Sequence, residues 1–431
     1  MDSECNNFGY LFGETEEMNY LYENMDFLEI NADLHIHSKY ARGVSNKMEI
    51  PVLAKQAKLK GVQLLGTGDC LHNKWLSHLK ENLKGEGIYE YDGSETKFVL
   101  QTEVQTFDRV HHVILLPSFS KVEELREKLM KYSNNLDADG RPHLSISGEE
   151  IAEFVFECEG LFGPAHAFTP YFGVYAHYNS LKECYGKYSN KISFLELGLS
   201  ADSHLADKIS ELHKLTFLSN SDAHSPYPLR LAREFNRMKI KEFTFEELKK
   251  VMLQKDLRKV ILNCGFYPEH GKYHLSRCKN CLMFYKLEDA KKLNWKCGNC
   301  GGTINKGVKD RILELSDCDG NPERPKYIHI YPLIEIIAIA HNIKTLYSES
   351  VSEIWEKFIK KFGNEIRVLI DVEIEKLEKI DKKVAEYIDA FRQDKIKQIP
   401  GGGGVYGKLL PLGKKPKIEF FKYRQKSLSE F

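Results

Sequence analysis

The chain has 431 residues, 42% of them hydrophobic, with 62 basic and 62 acidic side chains and a formal net charge of zero. That composition excludes a wholly disordered chain. No apolar run approaches the ~18 residues of a membrane-spanning helix, and the first residues lack the basic and apolar segments of a secretory signal.

The neutrality is a sum of unlike parts. Residues 1–30 hold eight acidic side chains and no Lys or Arg, whereas 395–431 hold nine Lys or Arg against Glu419 and Glu430. The basic end is predicted to meet a polyanion. Four of the ten cysteines form two C-x-x-C pairs, which points to a reducing compartment and a metal site rather than a disulfide framework.

In chain order, 1–30 reads as an acidic extension. From 31 to 262 strands and helices alternate. PVLAKQAKLK is a helix with Pro51 at its head and Gly61 at its close, followed by the strand VQLLGTGD. KFVLQTEV, HHVILLP, LFGPAH, ISFLELG and LTFLSNSDAH are further strands. EELREKLMKYS, EEIAEFVFE, DSHLADKISELHKL and FEELKKVMLQ are helices. The alternation predicts an α/β fold with a parallel sheet, open or closed into a barrel. Residues 263–310 are loop-rich and contain both cysteine pairs; 311–394 are mainly helical, including one helix over EIRVLIDVEIEKLEKI. A Gly-rich, basic tail fills 395–431.

Chemistry-bearing residues gather at the predicted strand ends. DLHIHS sets Asp33, His35 and His37 at period two, on one face of a strand. Asp69 and His72 end the next strand, Glu103 lies on a third, and His111 and His112 on a fourth. His166 ends a fifth, and Asp222 and His224 end the last. In a parallel sheet or barrel such ends converge on one face. Imidazoles and carboxylates suit zinc, manganese or iron. Clustered divalent ions activate water and hold a phosphoryl centre without a protein nucleophile. Asp222 is then both a ligand and the group that orients the attacking water.

DLHIHS, GTGD, the Glu103 strand, HHVILL, PAH and SDAH resemble the motifs of the polymerase-and-histidinol-phosphatase (PHP) metallohydrolases. The resemblance covers about 31–240 and implies a distorted (βα)7 barrel with two or three active-site divalent metals (Zn²⁺, Mn²⁺ or Mg²⁺). It implies that His35 and His37 form the first ligand pair. Glu103 is then the bridging carboxylate, and His112, His166, Asp222 and His224 are later ligands. Cys70 replaces the family's usual histidine after Asp69, so Asp69 or His72 supplies that ligand. His111 competes with His112, and the aliphatic run after it favours His112.

Cys278 and Cys281 are separated by fifteen residues from Cys297 and Cys300, the spacing of a closed four-thiolate structural zinc site. In the tail, Gly401, Gly402, Gly403 and Gly404 with Lys408, Lys414 and Lys415 are predicted to grip a nucleic-acid phosphate. No strand–GxxxxGK[ST]–helix context exists, which rules out a nucleotide-binding P-loop. Gln425, Leu428 and Phe431 in QKSLSEF resemble a peptide that docks on the sliding clamp, PCNA. After His166, the rings of Phe168, Tyr171, Phe172, Tyr175 and Tyr178 are candidates to stack an extruded base.

A PHP barrel, GKYHLSRCKNC with its paired CGNC, a helical region and PGGGGVYGK together resemble the endonuclease Q family of archaea and some bacteria. That resemblance implies DNA repair in the cytoplasm at the nucleoid. The expected cut lies 5′ to deaminated bases (uracil, hypoxanthine, xanthine) and to abasic sites. A small-molecule PHP phosphatase and a PHP 3′–5′ exonuclease are the competing readings; the phosphatase gives no reason for the cysteine module or the basic tail.

Overall fold

The computed structural model describes residues 27–321 and 323–422. The clamp-like residues Gln425, Leu428 and Phe431, and most of the acidic extension, lie outside them.

The strands are β1 (Leu28–Asp33), β2 (Leu64–Gly66), β3 (Leu83–Glu86), β4 (Ile88–Tyr91), β5 (Lys97–Gln105), β6 (His111–Leu116), β7 (Leu161–Pro164), β8 (Phe194–Glu196), β9 (Thr216–Leu218), β10 (Phe235–Ile240), β11 (Lys259–Gly265), β12 (Arg277–Cys278), β13 (Ile304–Asn305), β14 (Lys326–His329), β15 (Gln398–Ile399) and β16 (Lys408–Leu409). Ten of them form one sheet in the order β14-β11-β10-β1-β2-β5-β4-β3, with β6 on β5 and β7 on β6.

The expected parallel sheet is corrected to a mixed one. The pairs β1–β2, β2–β5, β8–β9 and β11–β14 are parallel; β5–β6, β6–β7, β1–β10 and β10–β11 are antiparallel. Chain length explains the largest departure. Residues 106–110 alone join β5 to β6, and a parallel return needs a crossover of a dozen or more residues. Between β9 and the main sheet, side-chain amides replace the ladder. Asn236 accepts from Ser219 N and donates to Ser219 O, and Asn263 donates to Phe217 O.

Helices cover the sheet. Ile50–Lys60 carries Pro51 in its first turn, is capped by Gly61, and buries Leu53, Ala54 and Ala57. Gly148–Glu157 opens with a reciprocal Ser147–Glu150 capping box. The helix expected over DSHLADKISELHKL breaks into Ser203–Ala206 and a 3₁₀ turn at Ser210–Leu212. Arg324 causes the break: it donates to Asp207 Oδ1 and to the carbonyls of Leu212 and Leu215, which a continuous helix would not present together.

The C-terminal helices are Leu333–Ala340, Glu349–Phe362, Ile374–Glu378 and Lys382–Arg392. The single helix expected over EIRVLIDVEIEKLEKI is a π turn, Arg367–Asp371, then a break and a short helix. Arg392 takes the carbonyls of Val368, Leu369 and Val372, and Arg237 clasps Asp371 with two hydrogen bonds, so tertiary donors hold the chain open there. No helix among the described residues is long and apolar enough to cross a membrane.

Candidate metal centre

The segment after β1 stays extended, because Ile36 bridges Ala223 and His37 N–H donates to Ala223 O. His35 and His37 alternate with the buried Leu34 and Ile36, and both imidazoles reach the carboxylates of the centre. Asp33 leaves the set. Its carboxylate accepts from Ser221 N, Ser221 Oγ and Ala232 N, and so fixes the turn that presents Asp222. Asp69, His166 and Asp222 all have positive φ (42°, 28° and 47°), a conformation most side chains avoid and one that clusters at functional sites.

Seven side chains converge. His37 Nε2 lies 3.1 Å from Asp222 Oδ1 and 3.4 Å from Glu103 Oε2. His35 Nε2 lies 3.8 Å from Glu103 Oε1 and 3.9 Å from Asp222 Oδ1. His111 Nδ1 and His166 Nε2 stand 2.9 and 3.0 Å from Glu103 Oε1. His224 Nδ1 is 3.6 Å from Asp222 Oδ1. His35 Nε2, His37 Nε2 and Asp222 Oδ1 are buried without a hydrogen-bond partner, a costly arrangement that a cation at their meeting point would relieve. In each of three groups (His35, His37 and Glu103; His37, Asp222 and His224; Glu103, His111 and His166) the donor atoms lie within 4.8 Å of one another, and these imidazole nitrogens and carboxylate oxygens fit divalent metals.

A second layer orients these donors. Glu196 Oε2 takes His35 Nδ1 at 2.8 Å, Asp69 Oδ1 takes His37 Nδ1 at 2.9 Å, and Gln105 Oε1 takes His111 Nε2 at 3.1 Å. Each contact leaves the other ring nitrogen for the centre. Burial opposes ionisation of Glu103, but His111, His166 and His37 hold its carboxyl well below the usual range. Burial likewise opposes the charge on His35, yet Glu196, Glu103 and Asp222 raise it to about 9.

Three expectations change. His112 does not face the centre: Thr106 Oγ1 and Tyr185 OH occupy its two nitrogens, Phe162 stacks on its ring, and burial pushes its pKa down to about 3. His111 stands in its place, because adjacent strand residues point to opposite faces. Asp69 supports His37 instead of joining the cluster. His72 stacks on Tyr40 at 4.4 Å, outside it. Glu196, absent from the sequence-derived set, ends β8 in the same way that the recognised residues end their strands.

In the cysteine module, Cys278 Sγ lies 3.6 Å from Cys300 Sγ, and Cys281 Sγ lies 3.5 Å from Cys297 Sγ. A tetrahedron with ~2.3 Å metal–sulfur bonds has sulfurs about 3.8 Å apart. Burial opposes ionisation of Cys297, but the Tyr285 hydroxyl at 3.0 Å and nearby amides bring its pKa down to about 6.

The family described as MJ0043 C-terminal domain matches residues 332–395. The uncharacterized protein MJ0043 of Methanocaldococcus jannaschii is 48% identical over 299 residues; the match spans 65% of this chain and 37% of that protein's length. The uncharacterized protein YqxK of Bacillus subtilis is 31% identical over 406 residues, covering 89% of this chain and all of YqxK. The crystal structure of the lesion-specific endonuclease PfuEndoQ from Pyrococcus furiosus superposes with a TM-score of 0.85 at 48% identity, over 89% of this chain and 95% of that one. An endonuclease Q complex with a 27-mer duplex substrate bearing an abasic lesion at the active site gives 0.83 at 48%, over 90% and 99%. The chain belongs to the endonuclease Q family.

In this endonuclease Q relative the cluster opens into a cavity of about 560 Å³, rimmed by Arg42, Arg109, Arg141 and Lys272. Arg141 Nη1 reaches Glu103 Oε2 at 3.3 Å. Of the five rings proposed after His166, Phe172 faces this cavity, 4.5 Å from the His111 ring and beneath Arg109. Tyr171 is exposed beside Tyr273, on the rim of a second cavity. Phe168 and Tyr175 are buried and stacked on each other, with little ring surface left for a base, and Tyr178 OH bonds Asp108.

The phosphate-gripping expectation for the glycines is corrected in part. Gly401 N–H donates to Glu269 O, Gly402 N–H to Val405 O and Gly404 N–H to Lys272 O, so those amides are committed within the chain. Lys408, Lys414 and Lys415 are exposed.

Proposed function

We propose that the chain is a metal-dependent DNA repair endonuclease that hydrolyses the phosphodiester 5′ to abasic sites and to the deaminated bases uracil, hypoxanthine and xanthine. The observation that carries this reading is the convergence of His35, His37, Glu103, His111, His166, Asp222 and His224, the last four of which line a cavity of nucleotide size together with Arg42, Arg109, Arg141 and Lys272. The lesion-specific endonuclease and the abasic-lesion complex, each 48% identical over most of the chain, support the substrate class.

In this proposal the seven side chains hold two or three divalent ions, zinc, manganese or magnesium. Bound there, such ions lower the pKa of a water and neutralise charge on a phosphoryl group. Asp222, with its side chain a third exposed towards the cavity, would help hold the metal and orient the attacking water. Arg141 and Lys272 hold the phosphate. Phe172 stacks on an extruded base beside the centre. Glu196 and Asp69 keep His35 and His37 in the tautomer that ligation needs.

The finer fold reading is a distorted (βα)7 barrel. It is supported by the run β1-β2-β5-β6-β7, by the Ala167 N–Glu196 O bond that carries it to β8 and β9, and by the Asn236 and Asn263 links back to β10 and β11. Zinc is the ion proposed for Cys278, Cys281, Cys297 and Cys300, which makes 263–310 a zinc ribbon. DNA as substrate implies action at the nucleoid, and docking of Gln425, Leu428 and Phe431 on a sliding clamp rests on sequence alone.

Product class tests the reaction. The full chain with Mg²⁺ or Mn²⁺ is expected to leave one internal nick in an end-labelled duplex that carries a single uracil. A ladder of products selects the exonuclease instead, and phosphate release from small esters without DNA cutting selects the phosphatase.

A further inference from the structure

The glycine run of the tail has a structural use that hydrolysis does not explain. Residues 398–409 fold back on 267–275, backbone against backbone. Leu275 N–H donates to Gly401 O, Gly401 N–H to Glu269 O, Gly404 N–H to Lys272 O and Gly407 N–H to His270 O, all between 2.8 and 3.1 Å. Pairing of β15 with β16 closes the base of the loop. A Cβ at Gly401 would run into the Gly271 carbonyl, and one at Gly407 into the Glu269 carbonyl, so only glycine allows this approach.

The loop so fixed carries Tyr406. The residue is 56% exposed, yet it lines the same cavity as His111, Asp222 and His224. Its ring leans on His270 at 5.5 Å, with Lys272 Nζ 5.8 Å from its centroid. Arg42, Arg109 and Arg141 line the same cavity. A rigidly held aromatic among cations is how nucleic-acid sites combine base stacking with phosphate attraction. A protein partner would call for an apolar surround, and this rim is cationic.

We propose that Tyr406 is a stacking residue for a nucleobase that flanks the lesion, presented to the catalytic cavity by the C-terminal tail. The inference rests on the endonuclease reading and adds a contact that fixes the DNA relative to the metal centre.

A binding cycle tests it. The full chain in an Asp222→Asn background, which stops turnover, is titrated with duplexes that carry one abasic lesion and, in turn, lack one further base at each flanking position. At one position, loss of the base is expected to weaken binding about five- to hundredfold, the range of a base–aromatic stack. Tyr406→Ala should weaken binding to the intact-flank duplex by a similar factor, the two changes together should cost no more than one, and Tyr406→Phe should bind as the parent. Independent losses at every position, unchanged binding by Tyr406→Ala, or equal loss in Tyr406→Phe would overturn the proposal. Wild-type protein that binds lesion duplex without cutting it overturns the endonuclease reading alone, since the cycle is still read from binding. Wild-type protein that binds no duplex overturns both.

Discussion

Asp69 Oδ1 stands 2.9 Å from His37 Nδ1, and its second oxygen accepts from Ser38 N at 2.5 Å. The carboxylate thus holds the ring from behind and aims Nε2 at Asp222. Asp69→Asn, nearly equal in shape, should bind active-site metal ~10–100-fold more weakly and recover its cutting rate when metal is raised. Asp222→Asn should stay inactive at any metal concentration. A metal titration of cutting rate for both variants checks this; an unshifted midpoint for Asp69→Asn would remove its supporting role.

His111→Ala should lose metal and activity together. His112→Phe should keep both and lower stability by about 2 kcal/mol, from two hydrogen bonds lost at about 1 kcal/mol each. Metal content by mass spectrometry and urea unfolding of the two variants separate a ligand from a packed core histidine.

Much of this centre was legible in the sequence, because period-two spacing and carboxylates at strand ends are local signals. DLHIHS, Glu103, His166 and SDAH all reach the cluster. The pair His111–His112 is ambiguous in sequence, because adjacent strand residues face opposite ways and only the phase of β6 in the folded sheet decides which ring turns inward. Glu196 carries the same strand-end signal, but the apolar run around it reads as core. Arg141 lies in a loop with no periodicity. The broken helices were illegible for another reason: Arg324 and Arg392 take carbonyls from segments far away in sequence, and local propensity contains no trace of such donors.

Lys60 and Glu365 form a 2.7 Å ion pair, 2% and 0% exposed, that joins the helix Ile50–Lys60 to the C-terminal helices. Glu365 also accepts from Leu333 N and Trp355 Nε1. Glu365→Ala leaves an uncompensated buried ammonium and should cost about 3–5 kcal/mol. Replacing both residues with Met should cost less than the single change; urea unfolding measures the difference.

His329 ties β14 to Asp202 and Asp394 at 3.0 and 3.2 Å. Burial opposes its charge, but the two carboxylates raise it to about 9. The folded value lies above the ~6.5 of an unfolded histidine. The stabilisation is therefore complete below pH ~6.5 and lost as pH rises through about 9, on the order of 3 kcal/mol. Unfolding midpoints at pH 6 and pH 9 should differ more in the wild type than in Asp202→Asn; equal differences would contradict the linkage.

If the proposed seven-residue centre carries the reaction, it makes one cut whose place is set by the lesion. The most direct measurement maps the nick at nucleotide resolution while a single uracil is moved along an otherwise constant duplex. One nick on the 5′ side of the uracil, moving with it step for step and vanishing in Asp222→Asn with metal content retained, is the outcome expected of lesion-set cutting. A nick that stays at a fixed sequence, or persists in that variant, would contradict it.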